Sequence, residues 1–330
     1  MDFSKFKETA ITDSHIHFIH PERMNEVLKI MDTVPYQRAN LVCTPNPDGS
    51  NHNPAALYFK ERYPDRIYIC GALDYPPALA DPANAAKILA SQVRDLRKLG
   101  FDGVKMIEGK PMVRKLLPFP LDGPMYQEMW AVQEQERFPV VFHVADPDEF
   151  WDPQLCPDWA RQNGWDYSDG SYPSKEDLYT EVEHILSMHP GLRIIFAHFY
   201  FLAHDLERAA RFLETHPQVY FDLTPHLEMY SILSRQLEAA RAFFVRYQDR
   251  ILYGTDLDTR LLQRGPDGLQ FVMSIAWLIR SFLETNDAIS MPGMPAVQGV
   301  GLPQTVLEKI YHANFERLFG AHPAPLREQL

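Results

Sequence analysis

The first candidates for chemistry in this sequence are two histidines one residue apart, His15 and His17, in the run TDSHIH. Alternate residues of a β-strand face the same side, so both imidazoles share one face if this run is a strand. Neutral imidazole is a good ligand for zinc and related ions, and two rings on one face can converge on one ion. An HxH pair also arises by chance, so it needs further ligands before it predicts a metal site.

Further candidate ligands end other short apolar runs of the chain. They are His143 in PVVFHV, His198 in RIIFAHF and Asp256 in RILYGTDL. Converging buried polar groups are costly without partners, and a cation satisfies several of them at once. With His15 and His17, these residues therefore predict a metal site, and an open coordination position would make it catalytic.

A regular alternation of elements must position these side chains. Eight short runs rich in β-branched and aromatic residues are predicted strands: residues 10–17, 39–44, 66–74, 102–107, 139–144, 193–199, 218–224 and 250–257. Amphipathic helical patterns separate them; one ends at Gly100 and another begins with a capping box of Ser174 and Asp177. This alternation predicts an α/β fold, a (β/α)8 TIM barrel, as a single domain over residues 1–330.

Two predicted connections are unusually long. One follows the fifth strand, residues 145–173, and the other follows the eighth strand from Asp258 to about Leu302, with a helical pattern near FVMSIAWLIRSFL. In a barrel both lie over the carboxyl ends of the strands, where active sites of this fold form. The alternative fold is a doubly wound open sheet, which the lack of a GxGxxG motif after the first strand disfavours.

Composition limits the class of partner. The formal net charge of −12, without clustered Lys and Arg, argues against nucleic acid. No apolar run approaches the roughly 20 residues that cross a bilayer, and MDFSKFKETA has no apolar signal-peptide core. The 3 cysteines lack CxxC spacing. We expect a cytoplasmic protein that acts on a small molecule, and the sequence leaves a homo-oligomer open.

Six motifs spread over nearly the whole chain: TDSHIH, FDGVKMI, VVFHV, IIFAHF, ILYGTDL and the ending IYHANFERLFG. Together they resemble the amidohydrolase superfamily, in particular its amidohydrolase-related (amidohydrolase 2) branch of small hydrolases and decarboxylases. The resemblance implies one divalent metal, usually Zn²⁺ with Mn²⁺ or Fe²⁺ as alternatives, bound by His15, His17, His143 and Asp256. It also implies that His198 orients the metal-bound water or the substrate, and that Asp256 accepts a proton from that water.

Lys105, in the fourth predicted strand, has two interpretations. In binuclear members of the superfamily a lysine there is carboxylated and bridges two metals, and His198 is then a ligand of the second metal. Alternatively, Lys105 only pairs with a neighbour behind a single ion, which we favour because this branch usually binds one metal. Asp13 either supports a ligand from behind or pairs with Lys105.

Substrate contacts are expected from residues around the predicted barrel mouth. Lys105 is a candidate substrate contact, and Lys110 and Arg114 are candidates for binding a carboxylate. Aromatic residues of the long connection either roof the pocket or only pack that connection against the barrel: Phe150, Trp151, Trp159, Trp165 and Tyr167, of which Trp151 is the candidate substrate contact. Four other polar residues are expected to be solvated loop residues rather than substrate contacts: His52, Asp222, Thr224 and His226.

The sequence therefore predicts a metal-dependent hydrolase of a small cyclic or carboxylated ester, lactone or amide, acting through a metal-bound hydroxide whose water pKa the metal lowers to near 7. The alternative is a metal-dependent decarboxylase, a carbon–carbon lyase, of an unsaturated carboxylic acid. A relative that binds a small molecule without turnover is the third interpretation.

Overall fold

Parallel strands form one sheet in the computed structural model, which describes residues 1–19, 21–46, 49–226, 228–291 and 295–327. In chain order the strands are β1 (Ile11–His17), β2 (Tyr36–Val42), β3 (Ile67–Gly71), β4 (Gly103–Gly109), β5 (Val140–Val144), β6 (Ile194–Phe196), β7 (Val219–Asp222), β8 (Ile251–Leu252) and β9 (Leu257–Asp258). Their spatial order is β8, β7, β6, β5, β4, β3, β2, β1, β9, so neighbours in the chain are neighbours in the sheet.

The sheet closes because β8 and β9 are two parts of one interrupted strand. β8 pairs with β7, and β9 pairs with β1. Backbone hydrogen bonds join the interruption to β1: Ser14 N donates to Tyr253 O at 3.0 Å, and Asp256 N donates to His15 O at 3.0 Å. The predicted (β/α)8 TIM barrel is thus confirmed, with a break in its eighth strand.

Helices alternate with the strands along the chain. They are α1 (Met24–Thr33), α2 (Asn53–Arg62), α3 (Tyr75–Ala80), α4 (Ala85–Leu99), α5 (Pro111–Leu116), α6 (Gln127–Glu136), α7 (Asp158–Gln162), α8 (Lys175–Met188), α9 (Leu206–Thr215), α10 (Met229–Arg235), α11 (Leu237–Arg246), α12 (Thr259–Leu262), α13 (Pro266–Glu284), α14 (Gln304–Glu308) and α15 (Asn314–Phe319). Two predicted helix ends are confirmed. Gly100 caps α4 with a φ of 96°, and Ser174 and Asp177 form the capping box of α8.

The barrel interior has its own apolar core, separate from the larger core between strands and helices. It contains Val42, Tyr68, Cys70, Val141, Ile195, Tyr220 and Leu252, closed by Phe315 and Leu318 of α15. Asn314 Nδ2 donates to the backbone oxygens of Gln248 at 2.7 Å and Ile251 at 2.8 Å, at the start of β8. The last helix therefore seals the amino end of the barrel and leaves polar groups to the carboxyl end, here called the barrel mouth.

Both long connections follow the predicted strands. Residues 145–173, the β5 loop, contain a 3₁₀ turn at Asp148–Trp151 and the short helix α7. The region after β9 contains α12, α13 and an antiparallel pair, β10 (Ala288–Ile289) and β11 (Val297–Gln298). Residues 292–294 of this predicted connection lie outside the described residues. Among the described helices, none is long and apolar enough to cross a membrane.

Candidate metal centre at the barrel mouth

Three of the four predicted ligands meet at the barrel mouth: His15, His17 and Asp256, here called the metal triad. The two Nε2 atoms of His15 and His17 lie 3.3 Å apart. Asp256 Oδ1 lies 3.6 Å from His15 Nε2 and 3.2 Å from His17 Nε2. The alternation of β1 and the break in the eighth strand bring these atoms together, and one atom from each residue lies within 4.8 Å of the others.

The state of these groups fits a cation. Asp256 Oδ1 is buried and makes no hydrogen bond with the described residues, although both imidazoles approach it. Burial alone would raise the pKa of Asp256, but His17 and the neighbouring histidines hold it well below its ordinary value, so the carboxylate is charged. Burial lowers the pKa of His15 to about 4, so this imidazole is neutral at pH 7. A charged oxygen without a donor beside a neutral imidazole suits zinc and similar divalent ions.

Asp222 fixes which nitrogen of His15 is available. Its Oδ2 lies 2.8 Å from His15 Nδ1, and both side chains are fully buried. A neutral imidazole carries one proton, so a donating Nδ1 leaves the lone pair on Nε2, which faces His17 and Asp256. Carboxylates commonly orient metal-binding histidines in this way.

The interpretation of Asp222 and Thr224 as solvated loop residues is wrong, because both are 0% exposed. Asp222 ends β7 with its side chain turned into the barrel. Its Oδ1 accepts hydrogen bonds from the backbone N and the hydroxyl of Thr224 and from the backbone N of His198. Alternation with the inward-facing Tyr220 is the sequence signal that points Asp222 inward.

Asp13 supports the triad from behind. Its Oδ1 accepts from the backbone N of His15 and of Thr255, each at 3.1 Å, and its Oδ2 accepts from the Thr255 hydroxyl at 2.6 Å. Burial raises the pKa of Asp13 to about 7. Since these bonds tie β1 to the interruption that carries Asp256, the structure favours the supporting interpretation of Asp13 over a pair with Lys105.

Lys105 lies directly beside the triad and is 1% exposed. Its Nζ is 3.2 Å from His15 Nε2, and burial lowers its pKa to about 8. Lys105 and a metal ion therefore compete for one lone pair, so Lys105 must give up this bond when an ion binds. This position is compatible with both interpretations of Lys105.

His143 and His198 flank the triad. Their ring centroids are 4.8 Å apart, and the His198 ring is 6.2 Å from that of His15. Burial lowers the pKa of both, so both are neutral at pH 7. His143 lies outside the three-residue cluster, because its Nε2 faces the backbone oxygen of Ala145 at 3.0 Å and Asp146 Oδ1 at 3.2 Å. The role of His143 as a ligand stays a prediction, with Nδ1 as its free nitrogen.

The hydrogen-bond partners of His198 assign its tautomer. Its Nδ1 lies 3.3 Å from the Thr224 backbone oxygen and 3.2 Å from Thr224 Oγ1, whose own proton goes to Asp222. Nδ1 must therefore be the donor, which leaves the lone pair on Nε2.

The backbone at the mouth adopts unusual left-handed conformations. Positive φ occurs at Ala145 (65°), at Asp256 (54°) and through His198–Phe201 (50° to 58°). Each such non-glycine residue costs on the order of 1–2 kcal/mol, and such positions cluster at functional sites. The prediction of a strand to residue 199 is wrong here, because β6 ends at Phe196 and the chain turns left-handed, fixed by the bonds from His198 N to Asp222 and Thr224.

The predicted substrate contacts of the loops have partners within the protein. Arg114 Nη2 lies 2.8 Å from Glu181 Oε1, and Lys110 Nζ lies 3.0 Å from Asp146 Oδ1. Trp151 Nε1 donates to Pro173 O at 3.1 Å. Their roles in substrate binding stay predictions.

The aromatic residues of the β5 loop divide between the two interpretations. Phe150 and Tyr167 are 3% and 1% exposed and belong to a small core of the loop itself, whereas Trp159 is 39% exposed. For Phe150 and Tyr167 the structure therefore favours packing of the loop over a contact with substrate.

The interpretation of His226 as a solvated loop residue is wrong for one of its ring nitrogens, Nε2. Its Nε2 is buried and has no hydrogen-bond partner among the described residues, and burial lowers its pKa to about 3. Its ring lies 5.3 Å from that of Phe201, which also packs against His143 at 5.6 Å and His198 at 5.1 Å. His52, by contrast, contacts the backbone oxygen of Thr44 at 3.2 Å.

Comparison with known proteins agrees with the observed fold. The family model described as Amidohydrolase matches residues 12–321. No curated protein sequence matches the chain significantly. The structure of 2,6-dihydroxybenzoate decarboxylase from Rhizobium is similar with a TM-score of 0.56 at 16% identity, over 94% of this chain and 98% of that one.

Two further solved structures are similar over 94% of this chain. One is 5-carboxyvanillate decarboxylase from Novosphingobium aromaticivorans, complexed with manganese and a nitrobenzoic acid (TM-score 0.53, 14% identity, 96% of that chain). The other is a probable 2-pyrone-4,6-dicarboxylic acid hydrolase from Acinetobacter baumannii with citric acid bound (TM-score 0.53, 13% identity, 99% of that chain). At these identities the likeness concerns the fold.

Proposed function

Because the chain belongs to the amidohydrolase family, we propose that it is a metal-dependent hydrolase of a small cyclic or carboxylated ester, lactone or amide. The observation that carries this proposal is the metal triad. A charged Asp256 oxygen without a hydrogen-bond donor faces His15 Nε2, and Asp222 holds the proton of that imidazole on the other nitrogen, Nδ1. Such an arrangement is costly unless an ion completes it.

The ion would be held by His15, His17 and Asp256, with His143 as the proposed fourth ligand through Nδ1. We propose Zn²⁺ first, since imidazole and carboxylate suit it, with Mn²⁺ and Fe²⁺ as alternatives. Bound there, the ion would supply Lewis acidity that polarises a carbonyl and acidifies a water.

The chain's own residues would then handle the protons. The Asp256 side chain is 28% exposed, so a water in the mouth can reach its charged carboxylate, which is able to accept a proton. His198 is neutral, and its free Nε2 can accept a hydrogen bond that orients a water or a substrate hydroxyl. Phe201, packed against His143 and His198, would provide an apolar wall beside a ring of the substrate.

The second candidate function is metal-dependent decarboxylation of an unsaturated carboxylic acid. Two of the three similar structures are decarboxylases of aromatic carboxylic acids, and the Phe201 wall suits a planar acid as well as a lactone. The same ligands and the same neutral His198 serve both reactions, so the substrate decides between them.

Two measurements test the function in order. Metal content is determined by mass spectrometry on protein purified without chelator, and the metal-free and reloaded proteins are then assayed. One panel contains esters, lactones and amides of small cyclic acids; the other contains aromatic carboxylic acids with carbon dioxide detection. Metal-dependent hydrolysis supports the first proposal, and carbon dioxide release without hydrolysis supports the second. A protein that binds no Zn²⁺, Mn²⁺ or Fe²⁺ would contradict both and favour a binding protein without turnover.

A further inference from the structure

Asp146, directly after β5, is buried at 2% exposure and contacts three parts of the molecule. Its Oδ1 lies 3.2 Å from His143 Nε2 and 3.0 Å from Lys110 Nζ. Its Oδ2 accepts a hydrogen bond from the Tyr167 hydroxyl at 2.6 Å. Lys110 and Tyr167 thus each donate to one of its oxygens, so Asp146 acts as an acceptor at both.

These contacts determine the orientation of His143. Both groups facing its Nε2, the Asp146 carboxylate and the Ala145 backbone oxygen, are acceptors. Nε2 must therefore carry the proton of the neutral ring, which leaves the lone pair on Nδ1. Asp146 thus does for His143 what Asp222 does for His15. Asp146 is itself the second residue of the β5 loop, and through Tyr167 it also contacts the core of that loop.

Tyr167, which donates to Asp146, belongs to the core of the β5 loop. Tyr167 packs there with Phe150, Cys156 and Ala160. Lys110, the second partner of Asp146, lies 4.1 Å above the ring of Trp165 in the same loop. The loop core therefore contacts the metal site through Asp146.

We propose that Asp146 couples the docking of the β5 loop to metal binding by His143. The docked loop places the Tyr167 hydroxyl on Asp146, and Asp146 holds His143 with Nδ1 free for the ion. Coupling of this kind is reciprocal, so the ion in turn stabilises the docked loop. This inference rests on the proposed metal site, and it makes Asp146 and Tyr167 positioning residues rather than ligands.

The first test measures Zn²⁺ affinity on the full chain by competition with a chromophoric chelator. Tyr167→Phe removes only the hydroxyl, and we expect about tenfold weaker binding, within the range found when such supporting hydrogen bonds are lost. Tyr172→Phe is the matched control, because its ring packs 4.7 Å from Tyr167 in the same loop and has no bond to Asp146. Its affinity should stay within about twofold of the wild type. Equal affinity of Tyr167→Phe and the wild type would overturn the proposal.

A double-mutant comparison separates coupling through His143 from general damage to the fold. In a His143→Ala background, Tyr167→Phe should weaken Zn²⁺ binding no further, because the ligand that it positions is gone. An equal loss in both backgrounds would show that the hydroxyl acts through the structure in general, and the inference would be abandoned.

Hydrogen exchange provides a readout without turnover. Zn²⁺ added to the wild type should slow amide exchange in residues 145–173 relative to α6 on the barrel exterior, and this protection should be absent in His143→Ala. If Zn²⁺ binds to the wild type without protecting the loop, the coupling is refuted while the metal site stands. If Zn²⁺ does not bind to the wild type, the proposed function fails first and the coupling fails with it.

Discussion

A buried carboxylate at the amino end of the barrel, Asp102, and one at the mouth, Asp256, differ in their hydrogen bonding. At the amino end, Lys60 Nζ donates to Asp102 Oδ2 at 2.5 Å and to Gly100 O at 2.7 Å. Asp102 also accepts from the backbone N of Ile69 and of Ala324, each at 2.7 Å. At the mouth, Asp256 Oδ1 is buried without a hydrogen-bond donor among the described residues.

This difference distinguishes a buried ion pair that stabilises the fold from a buried carboxylate that is available to a ligand. The Lys60–Asp102 pair has partners from three backbone segments, so it joins α2, β3 and the C-terminal segment and needs no ligand. The mouth combines a charged oxygen without a donor with left-handed backbone at Asp256. Incomplete hydrogen bonding and strain at one place are the signs of a site built for a ligand rather than for stability.

The largest expected effect is on activity at the mouth. Asp256→Asn keeps a residue type that tolerates the φ of 54° but removes the charge that faces the imidazoles. Metal-dependent turnover should fall by at least about 10³-fold, or about 4 kcal/mol, while the free energy of unfolding of the metal-free protein stays the same or rises. Turnover, metal content and urea unfolding are measured together, with the surface variant Asp249→Asn as control. Unchanged turnover and metal content would remove Asp256 from the ligand set.

The matching change at the amino end should affect stability instead. Asp102→Ala leaves Lys60 buried without its carboxylate, and breaking such a pair costs about 3–5 kcal/mol of unfolding free energy. Urea unfolding measures the loss, and metal affinity should not change. Replacing both partners together, as Lys60→Met with Asp102→Leu, should recover only part of the stability, because the backbone N of Ile69 and of Ala324 would still lose their acceptor. A loss below about 1 kcal/mol for Asp102→Ala would mean that this pair is not a structural joint.

A smaller effect on turnover is expected at His198, which lies beside the triad. His198→Ala should lower turnover by about 10²-fold, because it removes the nitrogen that orients water or substrate, and it should leave most of one metal ion bound. Metal content and turnover are compared with the values for Asp256→Asn. Loss of metal equal to that of Asp256→Asn would instead support a second ion with His198 as its ligand.

Much of the fold and the triad can be predicted from local sequence, because strand periodicity and the HxH spacing act over a few residues. His15 and His17 share a face for this reason alone. The carboxylate that sets the His15 tautomer could not be assigned in the same way, since Asp222 is 207 residues away and its contact depends on closure of the barrel. Its inward position could have been predicted; its partner could not.

The left-handed backbone escaped prediction for a different reason. His198, Phe199, Tyr200 and Phe201 have no glycine or asparagine that would mark positive φ. Their conformation is fixed by tertiary hydrogen bonds that the backbone N of His198 donates to Asp222 and Thr224. A strand interpretation through residue 199 is what local propensity alone supports.

The smallest expected effect depends on pH and concerns His226, a second buried group of the mouth without a hydrogen-bond partner among the described residues. Burial lowers the pKa of His226 to about 3 from an ordinary value of 6.5, so the unfolded chain binds more protons than the folded one between these values. The stability that His226 contributes is therefore full above pH 6.5 and is lost as the pH falls toward 3. The free energy of unfolding of the wild type should fall by about 1.5 kcal/mol more than that of His226→Asn between pH 6.5 and 5, measured by urea unfolding of the metal-free proteins.

The control variant is His184→Asn, on the exposed face of α8, and its pH profile should match that of the wild type. Parallel pH profiles of wild type and His226→Asn would mean that His226 Nε2 reaches water or a partner, and the mouth would then contain one fewer unpartnered group.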